Sequence, residues 1–242
     1  MGKIFERPQA IATYDCLEDH HLSPVAVMNY FQQISLEHSA SLKAGPYELS
    51  ALDLTWIVVK YHVDFWQMPR FLDQLQLGTW ASAFKGFTAH RGFFLKNQSG
   101  EHMVDGQSHW MMVDRRQNHI VRVNEVPINA VYDVEDQGPR FKMPRLARIK
   151  DWENVRQFSV RYLDIDYNGH VNNVCYLAWA LACLPAVVLQ TRTLKTLDIV
   201  FKEQALYGDV VTVKDREIAP NCYRVDIFNA NETLLTQLQL QF

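Results

Sequence analysis

The feature that most constrains this chain is that one order of elements is written twice. In the first copy, Ser23-Pro24 is a good helix start, since Ser can cap a first turn and Pro fits inside it. Val27, Phe31 and Ile34 then recur at helical spacing, and Gly45 marks a stop. Strand-like runs follow at residues 55–65, 74–84, 87–96 and 102–114. Asn97-Gln98-Ser99-Gly100 is a turn signal, so these strands are expected to form an antiparallel meander.

The second copy repeats the order. Residues 155–163 read as a strand, and residues 173–184 as a helix apolar on nearly every side, which predicts full burial. Strands are expected at 193–203, 209–218, 223–228 and 233–242, separated by Tyr207-Gly208, Ala219-Pro220-Asn221 and Asn229-Ala230-Asn231. The pattern predicts the α+β class, with two related modules, each an antiparallel sheet wrapped around a long central helix. Gly138, Pro139 and Pro144 place a linker at 133–150, between modules 1–132 and 151–242.

The net charge of -3 over 242 residues argues against general nucleic-acid binding. Cys16, Cys175, Cys183 and Cys222 show no CxxC pair and no metal-ligand spacing, which reads as reduced thiols in a cytoplasmic protein. No cofactor or metal is expected. The first ten residues hold no apolar signal core. The longest uncharged apolar stretch, 174–189, is interrupted by Pro185 and is shorter than the ~20 residues of a membrane span.

The chemistry is concentrated between the strand and the buried helix of the second copy. Asp164, Asp166, Asn168 and His170 alternate there, so an extended chain would set all four on one side. Three other readings stand beside an active site. Asp-x-Asp-x-Asn-Gly resembles the opening of an EF-hand loop, but Cys175 stands where a bidentate Glu is needed. A metal site on Asp166 and His170 lacks further ligands. A polar turn that merely caps the helix with Asn172 or Asn173 accounts for the same residues.

The run Asp164-Ile-Asp166-Tyr-Asn168-Gly-His170-Val-Asn172-Asn173-Val-Cys-Tyr176 resembles the signature of acyl-ACP thioesterases. Trp56-Ile-Val-Val-Lys-Tyr-His-Val with Met68-Pro69, and Ser108-His-Trp110-Met-Met-Val-Asp-Arg-Arg, resemble first-module strands of the same family. The similarity runs in order over nearly the whole chain. It implies a double hot-dog fold, hydrolysis of fatty acyl-carrier-protein thioesters in fatty acid biosynthesis, and acyl carrier protein as partner. It implies Asp166 as base or nucleophile, with Asn168 and His170 assisting. Anchored on Tyr207-Gly208, the family's catalytic Glu falls on Gln204 and the Cys beside it in plant members on Ala205. Gln204 can hydrogen-bond a water but cannot take its proton, and a bulge would bring Glu203 into the site instead. The helix beginning near Asn172 is expected to hold the oxyanion by its first N–H groups.

The corresponding stretch of the first copy, Tyr14 to Pro24, lacks the Asp-x-Asn-x-His order and reads as a degenerate site. By resemblance that module holds the acyl chain, with Met28, Phe31, Ile34 and Trp56 available to line its pocket. Arg140, Lys142, Arg145, Arg148 and Lys150 form a basic run that is either a carrier-protein docking patch or a solvated linker. The rival functions are an acyl-CoA thioesterase, a hot-dog dehydratase and a non-catalytic acyl-binding protein. Many hot-dog proteins pair modules across a homodimer, and with two copies in one chain both a monomer and a homodimer stay open.

Overall fold

The computed structural model describes residues 4–134 and 143–242, in two compact units, Met1–Lys142 and Met143–Phe242. In the first unit β1 (Phe5–Ala10) precedes α1 (Pro24–Ser41) and a short α2 (Pro46–Ala51). Then come β2 (Leu54–Phe65), β3 (Gln74–Lys85), β4 (Thr88–Lys96), β5 (His102–Asp114) and β6 (His119–Val121). Ser23 caps α1 as its sequence implies, its hydroxyl accepting from Ala26 N–H at 3.0 Å. The helix ends at Ser41, before Gly45, which instead precedes Pro46 at the start of α2.

The strand order is β1-β3-β4-β5-β2, with β6 on β5, and the pairs are antiparallel. The expected four-strand meander is therefore corrected. Strands β3, β4 and β5 form hairpins through turns at Gly86 and Gly100, whose φ angles of +58° and +82° suit glycine. The segment 66–73 has no such tight turn, and β2 pairs with β5 instead, Leu54 opposite Asp114 and Phe65 opposite Val104. Strand β1 escapes a period-based reading because Pro8 interrupts it; Pro is tolerated there because β1 is the edge of this order.

Val27, Phe31 and Ile34 are fully buried on α1. Phe31 stacks on Phe93 of β4 with ring centroids 4.6 Å apart. A Cβ added at Gly106 of β5 would lie 2.5 Å from the Phe31 ring, so the sheet reaches the helix only because that residue has no side chain.

The second unit repeats the plan with β7 (Asn154–Ser159), α3 (Asn173–Cys183), α4 (Ala186–Thr191), β8 (Thr196–Phe201), β9 (Val210–Ala219), β10 (Cys222–Phe228) and β11 (Leu234–Gln241). Its order is β8-β11-β10-β9-β7, the same permutation as β2-β5-β4-β3-β1. Helix α3 packs against β7, β9, β10 and β11, with Leu177 and Ala180 fully buried. Two strands are shorter than expected. The chain leaves β7 at Ser159 and makes a 3-10 turn at Tyr162–Asp164, and β8 ends at Phe201, leaving Glu203 and Gln204 beyond it. Among the described residues no helix is long and apolar enough to cross a membrane.

Candidate active site

The alternating polar residues do not lie along an extended chain. Ile165 and Val171 pair as an antiparallel bridge, and the segment between them folds back on itself. Asp166 N–H donates to the His170 carbonyl at 2.8 Å, and Gly169 N–H to the Asp166 carbonyl at 3.0 Å. Gly169 sits at φ +81°, a left-handed position that glycine takes without strain.

This geometry separates Asp164 from the others. Asp164 is buried and receives the Arg161 guanidinium at 2.8 Å and the Arg161 N–H at 2.9 Å. Burial alone would raise its carboxyl, but the hydrogen bonds from Arg161 outweigh burial and hold it below the usual range. A carboxylate committed in this way cannot open a calcium loop. Among the described residues no group of three or more His, Cys, Asp or Glu is placed to hold a metal ion.

Asp166, Asn168 and His170 share the turn. Asp166 Oδ1 accepts the Asn168 N–H at 2.8 Å, and its Oδ2 has only a long contact, 3.4 Å, with the Asn168 amide. One carboxylate oxygen thus fixes the loop and the other stays lightly engaged. Gln204 is near by backbone alone. Its neighbour Ala205 accepts the Val171 N–H at 3.1 Å and donates to the Tyr176 hydroxyl at 2.9 Å. The Gln204 side chain is exposed and makes no hydrogen bond to a described residue. Lys202 and Glu203 N–H groups both reach the Leu235 carbonyl, at 2.8 and 3.2 Å, so the strand end is irregular, and Glu203 is exposed as well.

Most backbone donors around the turn are already used. Asn172 caps α3, its Oδ1 accepting from Val174 N–H at 3.1 Å, and Cys175 N–H reaches the Asn172 carbonyl at 2.8 Å. Asn172 N–H itself goes to the Asp164 carbonyl at 2.8 Å. From Val171 to Cys175, the N–H left without an acceptor among the described residues is that of Asn173. The broad expectation of several free helix donors narrows to this one. Burial, then nearby Asp164, push the Cys175 thiol up to about 11, which keeps it protonated at neutral pH. Tyr176, which the sequence offered only as a motif letter, is the strut that ties α3 to the Gln204 segment.

The first unit contains the same loop without the same side chains. Leu17 N–H bonds the His21 carbonyl at 2.8 Å and His20 N–H the Leu17 carbonyl at 3.0 Å, as Asp166 and Gly169 do in the second unit. Cys16 and Leu22 form the matching bridge, and Leu22 N–H reaches Pro69 as Val171 reaches Ala205. Leu17 therefore stands where Asp166 stands, Asp19 where Asn168 stands, His21 where His170 stands and Met68 where Gln204 stands. His21 is held by Asp19 at 2.8 Å and by Arg70 at 3.0 Å. The copy keeps the histidine and lacks the carboxylate of the Asp166 position.

Two family models match in tandem. The model for the acyl-ACP thioesterase N-terminal domain covers residues 2–130, and that for the C-terminal domain covers residues 148–241. The chain belongs to the acyl-ACP thioesterase family. Among curated members of this family, the chloroplastic palmitoyl-acyl carrier protein thioesterase of Cuphea hookeriana is 27% identical over 219 residues, 84% of this chain. The chain spans about half, 52%, of that relative's length. The solved 12:0-ACP thioesterase of Umbellularia californica superposes with a TM-score of 0.90 at 21% identity, covering 98% of this chain and 96% of that one. An acyl-ACP thioesterase of Bacteroides thetaiotaomicron gives a TM-score of 0.90 at 18% identity, covering 99% and 97% of the two chains. The family's double hot-dog fold is the fold of this chain.

Proposed function

We propose that this protein hydrolyses the thioester that joins a fatty acyl chain to acyl carrier protein, releasing free fatty acid in fatty acid biosynthesis in the cytoplasm. The observation that carries the reading is the tight turn bearing Asp166, Asn168 and His170 at the N-terminus of a buried helix, in a chain of this family. Asp166 supplies the carboxylate that activates water or attacks the thioester, through its lightly engaged Oδ2. Asn168 orients that carboxylate, and Asn173 N–H faces the developing oxyanion. His170 protonates the leaving thiolate. Gln204 positions water without taking its proton.

The modules divide the work. Residues 151–242 carry the reaction, residues 1–132 hold the acyl chain, and residues 133–150 link them. Of the basic run, Arg140 and Lys142 lie outside the described residues, while Arg145, Arg148 and Lys150 are exposed and free to meet an acidic carrier protein. The chain works as a monomer or as a homodimer.

The deciding experiment measures thiol release from acyl-ACPs and from acyl-CoAs of matched length, for wild type and Asp166→Asn. Acyl-ACP hydrolysis lost in the variant supports the reading. Equal or faster turnover of the CoA esters makes it an acyl-CoA thioesterase. Binding without thiol release makes it an acyl-binding protein disabled at Gln204.

A further inference from the structure

A half-open cavity of about 60 Å³ is lined by α1 and the strands of the first unit. Trp56, Phe84 and Trp110 give it apolar walls, and Ser39, Arg91 and Tyr132 a polar side. One water needs ~10–15 Å³ on this scale, so there is room for a terminal group of roughly four heavy atoms.

The polar side holds an unusual charge. Arg91 is 8% exposed, and its hydrogen-bond partners among the described residues are uncharged: His38 Nδ1 at 2.9 Å and Thr79 Oγ1 at 3.3 Å. Its guanidinium also lies 5.7 Å from the centre of the Tyr132 ring. Among the described residues no carboxylate pairs with it. His38 does not share the charge in the other direction, because burial, then Arg91 itself, push the imidazole down to about 4 and keep it neutral. With Nδ1 accepting from Arg91, the proton sits on Nε2, which is buried and has no partner among the described residues. Buried cations are ordinarily paired, because an unpaired one forfeits its hydration without return.

We propose that this cavity receives the far end of an acyl chain that carries a hydrogen-bond-accepting oxygen, a carboxylate fitting best and a hydroxyl next, with Arg91 as the specificity-determining residue. The proposal rests on the reading that the first unit holds the acyl chain. The aromatic walls take the last methylenes, and the Arg91 guanidinium meets the oxygen; the Ser39 hydroxyl is already engaged, donating to the Ser35 carbonyl at 2.9 Å and accepting from Tyr132 at 2.8 Å. A chain ending in a bare methyl would leave the guanidinium desolvated and still unpaired.

The test uses acyl-ACPs of one length that end in methyl, hydroxyl or carboxylate, with wild type, Arg91→Met and Arg91→Lys. In wild type the oxygen-ended chains are expected to exceed the methyl-ended chain in kcat/KM by roughly tenfold or more. Arg91→Met removes that advantage, and Arg91→Lys restores part of it for the carboxylate. Equal rates for the three ends in wild type, or a preference that survives Arg91→Met, overturn the proposal. If no substrate is hydrolysed, the catalytic reading fails on its own. Calorimetry with amide-linked acyl pantetheines bearing the same three ends then decides this proposal, and it does so on wild type alone should Arg91→Met not fold. Tighter binding of the oxygen-ended analogues supports it; equal binding, or tighter binding of the methyl-ended one, refutes it.

Discussion

Replacing Tyr176 by Phe removes one oxygen from the strut between α3 and the segment carrying Gln204. Tyr176 is 2% exposed and Ala205 is 0% exposed, so no bulk water reaches the gap that the lost hydroxyl leaves. The Ala205 N–H, bonded to that hydroxyl at 2.9 Å, becomes a buried donor without an acceptor. Such a group costs about 1–3 kcal/mol, whereas an exposed Tyr→Phe change is nearly neutral. Urea denaturation of wild type and Tyr176→Phe should show a loss in this range. If the strut also places the segment against the Asp166 turn, thiol release should fall while Tyr61→Phe, a buried tyrosine of the first unit, spares it. A stability change under about 0.5 kcal/mol would refute the accounting, since the N–H would then have found another acceptor.

Asp166→Asn should cut kcat by roughly 10²–10⁴, the span expected of a proton-transfer group, and a single turnover in ¹⁸O-water would label the Asp166 carboxylate only if it attacks directly. Cys175→Ser should retain hydrolysis, because a thiol at about 11 is protonated at neutral pH; a large loss of thiol release would contradict this. Gly106→Ala should destabilise by about 1–3 kcal/mol, and Phe31→Leu should relieve part of that in the double variant, as read by chemical denaturation. His38 titrates near 4 when folded against ~6.5 when unfolded, so the unfolded chain binds a proton first as pH falls. Its contribution is complete above ~6.5 and is lost towards 4, at most about 3 kcal/mol, and His38→Asn should flatten the decline of denaturation midpoint with pH across that window.

Much of this was legible in the sequence because period and turn chemistry coincide with burial. The runs of β5 and α3 were readable almost to the residue, each bounded by a turn or a cap. The Asp166 loop was legible as a motif and illegible as a shape. Its conformation rests on backbone bonds such as Asp166 to His170, which leave no trace in the alternation of side chains. Gln204 was assigned by alignment one residue past a strand expected to run to Glu203, whereas the strand ends three residues before it, at Phe201. Arg91 drew no reading from the sequence, where it is one charged residue in a strand-like run. Its place two residues before Phe93, which stacks on Phe31, and its hydrogen bond to His38 set it facing α1.

The loop shared by the two units has a genetic consequence. Its backbone bonds close whether the side chains are Asp, Asn and His or Leu, Asp and His, so the shape of the loop does not depend on the residues proposed for the reaction. The one conformational concession is His20, held at φ +64° where the second copy has Gly169. An ordinary residue in that region costs only about 1–2 kcal/mol, a sum that a domain can absorb. Among those three side-chain positions the two units differ at two, Leu17 for Asp166 and Asp19 for Asn168, so these are the codons to rewrite in an attempt to install the second unit's side chains on the first unit's frame.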